Sequence, residues 1–529
     1  MRRPLRLTTL AVAAATAFAT VSTTATAAVP TDTSALRTAV TAEGVLAHEE
    51  ALQDIADANG GTRASGTPGY DQSVDYVAGL LTDAGYQVTR QPFTYELFIE
   101  TADPTLDLTS PDQPAYVVGD DFFTMEYSGA GNVTAQVVAV DVTIPPTATP
   151  SSTSGCEAAD FTGFPAGAIA LIQRGTCTFR QKADNAAAAG ASGVIIFNEG
   201  QEGRTDVLFG TLSPPQAALP TVGTSFEVGA EIYNLVQAGP VSVHLAVSAI
   251  VEQRETTNVI ADSTSGRTDR TVVAGAHLDS VQEGPGINDN GSGSATILEV
   301  ALQMAELGIE PTNRVRFTFW GAEESGLIGS QFYVDSLSKR DLKDIALYLN
   351  FDMVASPNYV RFVYDGDGSA FGIKGPTGSG LIEQHFTDFF ASQGLASEPT
   401  AFDGRSDYDA FITAGIPAGG LFTGAEGVKS AAQAAVYGGV AGAPYDPCYH
   451  QACDSMTPVA DGADATLYAQ LAAAYKLEGN INMEAQEEMS DAVAHSTLLF
   501  AMTTSAVGGT ARASGNASKS LFEGPFMRR

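Results

Sequence analysis

Arg270-Thr-Val-Val-Ala-Gly-Ala-His277, Arg314-Val-Arg-Phe-Thr-Phe-Trp-Gly-Ala-Glu323-Glu324 and Ile345-Ala-Leu-Tyr-Leu-Asn-Phe-Asp352 are three apolar runs that each end in an imidazole or a carboxylate. Short runs rich in β-branched and aromatic residues read as strands. Between the first two lies Ala295 to Leu307, which reads as a helix. Strands alternating with helices predict an α/β fold with a mixed, largely parallel central sheet and helices on both faces. In open sheets of this kind ligands bind beyond the carboxyl ends of the strands, so His277, Glu323, Glu324 and Asp352 are expected to converge on one crevice.

Two further residues join them. Asp289, in Asn288-Asp-Asn-Gly-Ser-Gly-Ser294, stands in a turn that leads into the helix from Ala295. His450, in Asp446-Pro-Cys-Tyr-His-Gln-Ala-Cys453, sits in a short loop that a disulfide would stiffen. A single strand-end acid is usually a solvated cap, and a lone histidine is usually packed in a core. The set reads differently: two imidazoles and three carboxylates suit two zinc ions sharing one bridging carboxylate, because zinc takes nitrogen and oxygen ligands in open sites. Glu323 beside Glu324 adds to this, since adjacent acids at a buried strand end repel unless a cation holds one and a proton the other.

Outward from these strands, Ala42 to Ala58 is amphipathic, Asn59-Gly-Gly61 breaks it, and Tyr70 to Ala84 forms a second helix. From Pro111 to Val251 the chain changes to short β-branched runs separated by Gly and Pro, such as Gln136 to Thr143, Ala168 to Gln173 and Gly193 to Phe197. This is a β-rich module inserted into the α/β domain, with Ala186 to Ala189 fitting a helix. Met1-Arg-Arg-Pro-Leu-Arg6, an apolar stretch from Leu7 to Val21 and Ala25-Thr-Ala27 read as a secretory signal peptide over 1–27. Thr20 to Thr26 interrupts the roughly 20 apolar residues a membrane span needs, so no anchor is expected. The expected divisions are then 28–110 and 252–495 for the main domain, 111–251 for the insert, and a flexible or processed tail over 496–529.

The 529 residues hold 27 Lys+Arg against 61 Asp+Glu, a net charge of −34, which disfavours nucleic acid and anionic membranes as partners. With 44% hydrophobic and 17% charged residues the chain can bury a large core. Four cysteines in an exported chain suggest two disulfides. Of the three pairings, closing the shorter loops joins Cys156 to Cys177 and Cys448 to Cys453. The absence of C-x2-C pairs argues against a four-thiolate zinc site.

His277-Leu-Asp279, Asp289-Asn-Gly-Ser-Gly293, Glu323-Glu324, Asp352 and His450, in this order, resemble the M28 family of di-zinc aminopeptidases, and most closely its secreted Streptomyces and Vibrio leucyl aminopeptidase type. The resemblance covers about residues 40–110 and 255–485, and takes in Asn59-Gly-Gly-Thr-Arg-Ala-Ser-Gly-Thr-Pro-Gly69. Separately, Gly155-Cys156, Arg174-Gly-Thr-Cys177-Thr-Phe179, Lys182 and Asn185 to Gly193 resemble the protease-associated (PA) domain often inserted in that family. The resemblance implies a zinc exopeptidase fold in which His277 and Asp352 hold one zinc, Glu324 and His450 hold the other, and Asp289 bridges them. It implies Glu323 as general base, Asp279 as the carboxylate that orients a ligand histidine, and Tyr449 as hydrogen-bond donor to the tetrahedral intermediate. Glu323, Asp352 and a backbone carbonyl around Arg405 would bind the substrate α-ammonium group, while the Arg405 side chain also reads as an ion-pair partner. Apolar residues from Phe402 to Phe422 would favour Leu, Met or Phe at the substrate N-terminus. Calcium occurs in close relatives, and Asp461 with Asp464 leaves a Ca2+ site open.

The expected function is a secreted, monomeric zinc aminopeptidase acting on peptides or proteins with a free N-terminus. No G-x-S-x-G, H-E-x-x-H or G-x-x-x-x-G-K-[ST] motif occurs, so serine hydrolase, single-zinc helix and P-loop chemistries lack their residues. A carboxypeptidase of the same superfamily would need a basic pocket, and no Arg cluster stands near the site. An inactive peptide-binding or receptor protein on this fold would be expected to lose ligands, whereas all five stand here with Glu323.

Overall fold

Helices and strands alternate along the chain much as the apolar runs require in the computed structural model, which describes residues 31–505 and 507, apart from 112–114 and 202–203. After a short helix at Ser34–Ala39 come helices α1 (Ala42–Ala58) and α2 (Pro68–Asp83), capped by Thr41 and Thr67 side chains that accept from Gly44 N and Tyr70 N. The chain turns between them at Gly60 and Gly61, whose φ of +83° and +88° only glycine adopts without strain. A 24-residue strand, β1 (Gln87–Ser110), follows. The insert holds β2 (Phe122–Thr124), β3 (Gly131–Val140), β4 (Ile169–Gln173), α3 (Phe179–Ala188), β5 (Gly193–Phe197), β6 (Thr221–Thr224) and α4 (Phe226–Ala238). The 21-residue strand β7 (Ser242–Asp262) then returns antiparallel to β1, from Ser110↔Ser242 to Gln87↔Asp262. The main elements of the rest of the chain include β8 (Arg267–His277), α5 (Gly293–Glu306), β9 (Asn313–Trp320), α6 (Ile328–Ser336), β10 (Ile345–Phe351), β11 (Phe362–Tyr364), α7 (Ser379–Ser392), β12 (Glu398–Thr400), β13 (Ala418–Phe422) and α8 (Met483–Met502).

One mixed 13-stranded sheet runs through both parts, in the order β12-β11-β13-β10-β8-β9-β7-β3-β4-β5-β6-β2, with β1 on β7. Strands β13, β10, β8 and β9 are mutually parallel, and so are β3 to β6. Both faces of the main sheet are buried. Val272, Ala274, Leu347 and Leu349 point into one core and Val273 and Tyr348 into another, which explains why these runs are apolar at every position. The insert has its own cores on either side of β4 and β5. The described residues from Thr33 onward form one compact unit.

Two boundaries differ from the sequence expectation. Strand β7 crosses Val251 without a break, because the polar stretch Glu252-Gln-Arg-Glu255 lies on a solvent-facing ribbon rather than in a linker. The segment from Ser496 to Met502 is the last part of α8, with Phe500 and Ala501 buried in the main core, so the tail does not begin at 496. The expected signal peptide over 1–27 and the chain from 508 lie outside the described residues. Both expected disulfides, Cys156–Cys177 and Cys448–Cys453, are formed. Among the described residues no helix is long and apolar enough to cross a membrane.

Candidate metal centre

Strands β10, β8 and β9 are neighbours running the same way, so their carboxyl ends lie side by side. His277 is the last residue of β8, Asp352 follows β10, and Glu323-Glu324 stand in the turn after β9. Asp289 enters from the loop before α5, and His450 from the loop closed by Cys448–Cys453. The backbone is left-handed at three non-glycine residues in or beside these positions: Ala322 (φ +54°), Met353 (+50°) and His450 (+57°). Such conformations are disfavoured for L-residues and persist only where the surroundings hold them.

His277 Nε2 lies 3.2 Å from Asp289 Oδ1, 3.3 Å from Asp352 Oδ1 and 3.9 Å from Glu323 Oε2. His450 Nε2 lies 3.2 Å from Asp289 Oδ2 and 3.1 Å from Glu324 Oε2. Three groups of potential ligand atoms result, His277/Asp289/Asp352, Asp289/Glu324/His450 and His277/Glu323/Glu324, and Asp289 belongs to the first two. Burial opposes charge on His277, but the carboxylates of Glu323 and Asp352 outweigh it and carry its pKa well above the ordinary value. His450 behaves alike, with Glu324 the main carboxylate. Burial also opposes charge on Asp289, yet hydrogen bonds to the two imidazoles hold its pKa far below the usual range. The buried Asp352 Oδ1 accepts no hydrogen bond and faces His277. This donor set of imidazole nitrogen and carboxylate oxygen fits zinc.

A surrounding shell fixes these side chains. His277 Nδ1 lies 3.0 Å from the Asp279 carbonyl oxygen and 3.6 Å from its carboxylate, whose Oδ1 also accepts from Glu323 N at 3.2 Å. Ser406 Oγ donates to Asp352 Oδ2 at 2.6 Å. Asp454 accepts from the backbone N–H groups of Asn288 and Asp289, both at 2.8 Å, and Asn480 joins it to Asp446. Burial, then Asp446, pushes the Asp454 carboxyl well up, and burial pushes Asp446 up to about 6. Arg63, fully buried, donates to the carbonyls of Leu278, Pro285 and Gly286 and so clamps both ends of the loop before Asp289. Sequence reading assigned no role to Ser406, Asp446, Asp454 or Arg63. Their only signal was position, beside Arg405, around the cysteine loop, and in the 59–69 motif.

Arg405 is turned toward Glu426, with bonds of 2.7 and 3.1 Å, and its Nη2 reaches the Tyr449 hydroxyl at 3.3 Å. The Tyr449 ring stacks on His450 with centroids 3.8 Å apart. Arg405 and Tyr449 border a cleft walled by His277, Asp289, Glu323 and Asp352 on the polar side and by Met353, Tyr364, Ala401 and Phe422 among the apolar lining. The acidic pair expected to leave a calcium site open is otherwise engaged: Asp464 caps a helix through Thr466 N and Leu467 N, and Asp461 accepts from Ser455 and Thr457.

The family model for Peptidase family M28 matches residues 258–475, and that for the PA domain matches 133–232. An aminopeptidase of Pseudomonas aeruginosa is 45% identical over 483 residues, 90% of this chain and 84% of that protein. Leucine aminopeptidase 2 of Trichophyton equinum is 40% identical over 430 residues, 81% of this chain and 82% of its own length. Among solved structures, the aminopeptidase from Aneurinibacillus sp. strain AM-1 is similar with a TM-score of 0.66 at 25% identity, over 88% of this chain and 95% of that one. Identity of this extent, across most of both proteins, means that the chain belongs to peptidase family M28, with a PA domain inserted between the two strands of its β1–β7 ribbon.

Proposed function

We propose that this metalloaminopeptidase is exported, binds two zinc ions, and removes large apolar residues of the Leu type from free N-termini of peptides and proteins. The observation that carries the reading is Asp289, whose Oδ1 and Oδ2 each face a different imidazole at 3.2 Å. His277 and Asp352 would hold one zinc, and Glu324 and His450 the other, with Asp289 shared. Zinc, when bound, supplies Lewis acidity that acidifies water and polarises a carbonyl.

The chain's own groups do the rest. Glu323 takes a proton from the attacking water and delivers it to the leaving amine. Its backbone N–H donates to Asp279 Oδ1 while His277 Nδ1 bonds the Asp279 carbonyl, so one residue aligns both the base and His277. The Tyr449 hydroxyl donates to the oxyanion that forms on the substrate, a contribution that depends on its being held in place. Glu323, Asp352 and the backbone carbonyl at Arg405 receive the α-ammonium group, and the Ser406 bond keeps Asp352 turned toward the cleft. Met353, Tyr364 and Phe422 in the cleft wall favour an apolar side chain, as does the similarity to a leucine aminopeptidase. The two disulfides and the signal-like N-terminal sequence favour export. The protein acts as a monomer, with Ca2+ as a further candidate ion.

Metal analysis of the dialysed protein, with a series of amino-acid p-nitroanilides, tests the finer claims. The expected outcome is two zinc ions per chain and a kcat/KM for Leu, Met and Phe well above that for Glu or Gly. One zinc per chain, or a flat series, would contradict it.

A further inference from the structure

We infer that the inserted PA domain takes part in catalysis through Tyr127, a positioning residue that fastens the Glu323-Glu324 turn from outside the peptidase domain. The inference rests on the reading of Glu323 as general base and adds a role for the insert. Tyr127 precedes the segment matched to the PA domain, yet it packs in the insert's own core with Ile172, Phe179 and Val194.

The turn from Gly321 to Leu327 joins β9 to α6, and its backbone is left-handed at Ala322 (φ +54°) and Leu327 (+62°), conformations that persist only where the surroundings hold them. The main domain grips its first half. Asn258 Oδ1 accepts from Gly321 N at 3.1 Å, Ser65 Oγ from Ala322 N at 2.6 Å, and Asp279 Oδ1 from Glu323 N at 3.2 Å. The second half is closed by its own backbone, with the Glu323 carbonyl accepting from Gly326 N and Leu327 N, both at 2.8 Å, and is also held from the insert. The Tyr127 hydroxyl shares its proton between the Glu96 carbonyl at 2.6 Å and the Ser325 carbonyl at 3.2 Å. Ser325 is the residue next to Glu324.

Tyr127 is itself fixed. It is 1% exposed, its ring lies 5.8 Å from that of Phe98, and its carbonyl accepts from Ala217 N at 2.7 Å. A rigid donor anchored in one module thus pins the backbone beside the base and a metal ligand in the other. Side chains that act at the reacting atoms must be held within a fraction of an ångström, so a looser turn lowers turnover more than substrate affinity.

Tyr127→Phe keeps the ring and removes the donor. With zinc-loaded protein, kcat on leucine p-nitroanilide is expected to fall about three- to tenfold, as for one lost hydrogen bond, with KM unchanged within about twofold. Zinc content stays the same, and amide hydrogen exchange speeds up over 324–327 but not in β3 to β6. Unchanged kcat in the folded variant would overturn the proposal, and so would faster exchange spread evenly through the insert. Should Tyr127→Phe fail to fold, Phe98→Leu loosens the same ring, and an unchanged kcat there would be equally fatal. A Glu323→Gln enzyme that stays active would remove the general-base reading alone, because the exchange measurement on Tyr127→Phe does not depend on it.

Discussion

Glu323 and Glu324 are chain neighbours with different surroundings. Glu323 is 2% exposed and stands 3.9 Å from His277, while Glu324 lies 3.1 Å from His450. Glu323→Gln should therefore lower kcat by about a hundred- to ten-thousandfold while zinc content is kept. Glu324→Gln should instead lower zinc content, which metal analysis separates from the first effect. The Arg405 side chain donates to Glu426 and to the Tyr449 hydroxyl. Tyr449→Phe should cost about a hundredfold in kcat as a lost oxyanion donor, and Arg405→Ala a smaller loss of about fivefold, since the hydroxyl survives but is less well held. The strand-end residues were legible because an apolar run ending in a charge marks the lip of a sheet. Ser406 and Arg63 were not legible as supports, because they act on Asp352 and the Pro285 carbonyl across 54 and 222 residues of sequence, a relation only the tertiary fold creates.

Among the elements, the two disulfides do different work. Cys448–Cys453 closes a loop with a sequence separation of 5 and carries Tyr449 and His450 on it, whereas Cys156–Cys177 spans 21 residues within the insert. The chain-entropy relation gives about 2 and about 3 kcal/mol. Replacing Cys448 and Cys453 by Ser should cost less stability but more zinc affinity and kcat, and replacing Cys156 and Cys177 the reverse, read by thermal unfolding and metal titration. A second element-level effect lies where α7 meets α8. His385 and His495 stack with centroids 4.9 Å apart, and burial, helped for His495 by His385 and Arg37, holds each imidazole down to about 4 from 6.5. The unfolded chain binds more protons between those values. Stability from this pair is thus complete above pH 6.5 and lost as pH falls through 4, by about 1 kcal/mol per ring at pH 5 after discounting for partial exposure. His495→Phe should flatten the decline of Tm between pH 7 and 5. The helical end at Met502 was hidden in the sequence by the small, polar residues that follow it, although Leu498 and Phe500 carry the burial.

At the scale of the molecule, one 13-stranded sheet joins the catalytic domain to its insert through a ribbon of 24- and 21-residue strands. The α/β alternation made the main domain readable, because strands buried on both faces leave unbroken apolar runs. The continuity of the ribbon was not readable, since its exposed middle looks like a linker in composition. A surface with a net charge of −34 disfavours polyanions, so added DNA should leave activity unchanged. The most direct test of metal-dependent aminopeptidase action is release of p-nitroaniline from leucine p-nitroanilide and from its N-acetylated form, with chelator and with zinc restored. Hydrolysis of the free amine only, abolished by chelation and recovered with zinc, is the predicted result. Equal hydrolysis of the acetylated substrate, or activity that survives complete removal of metal, would contradict the account.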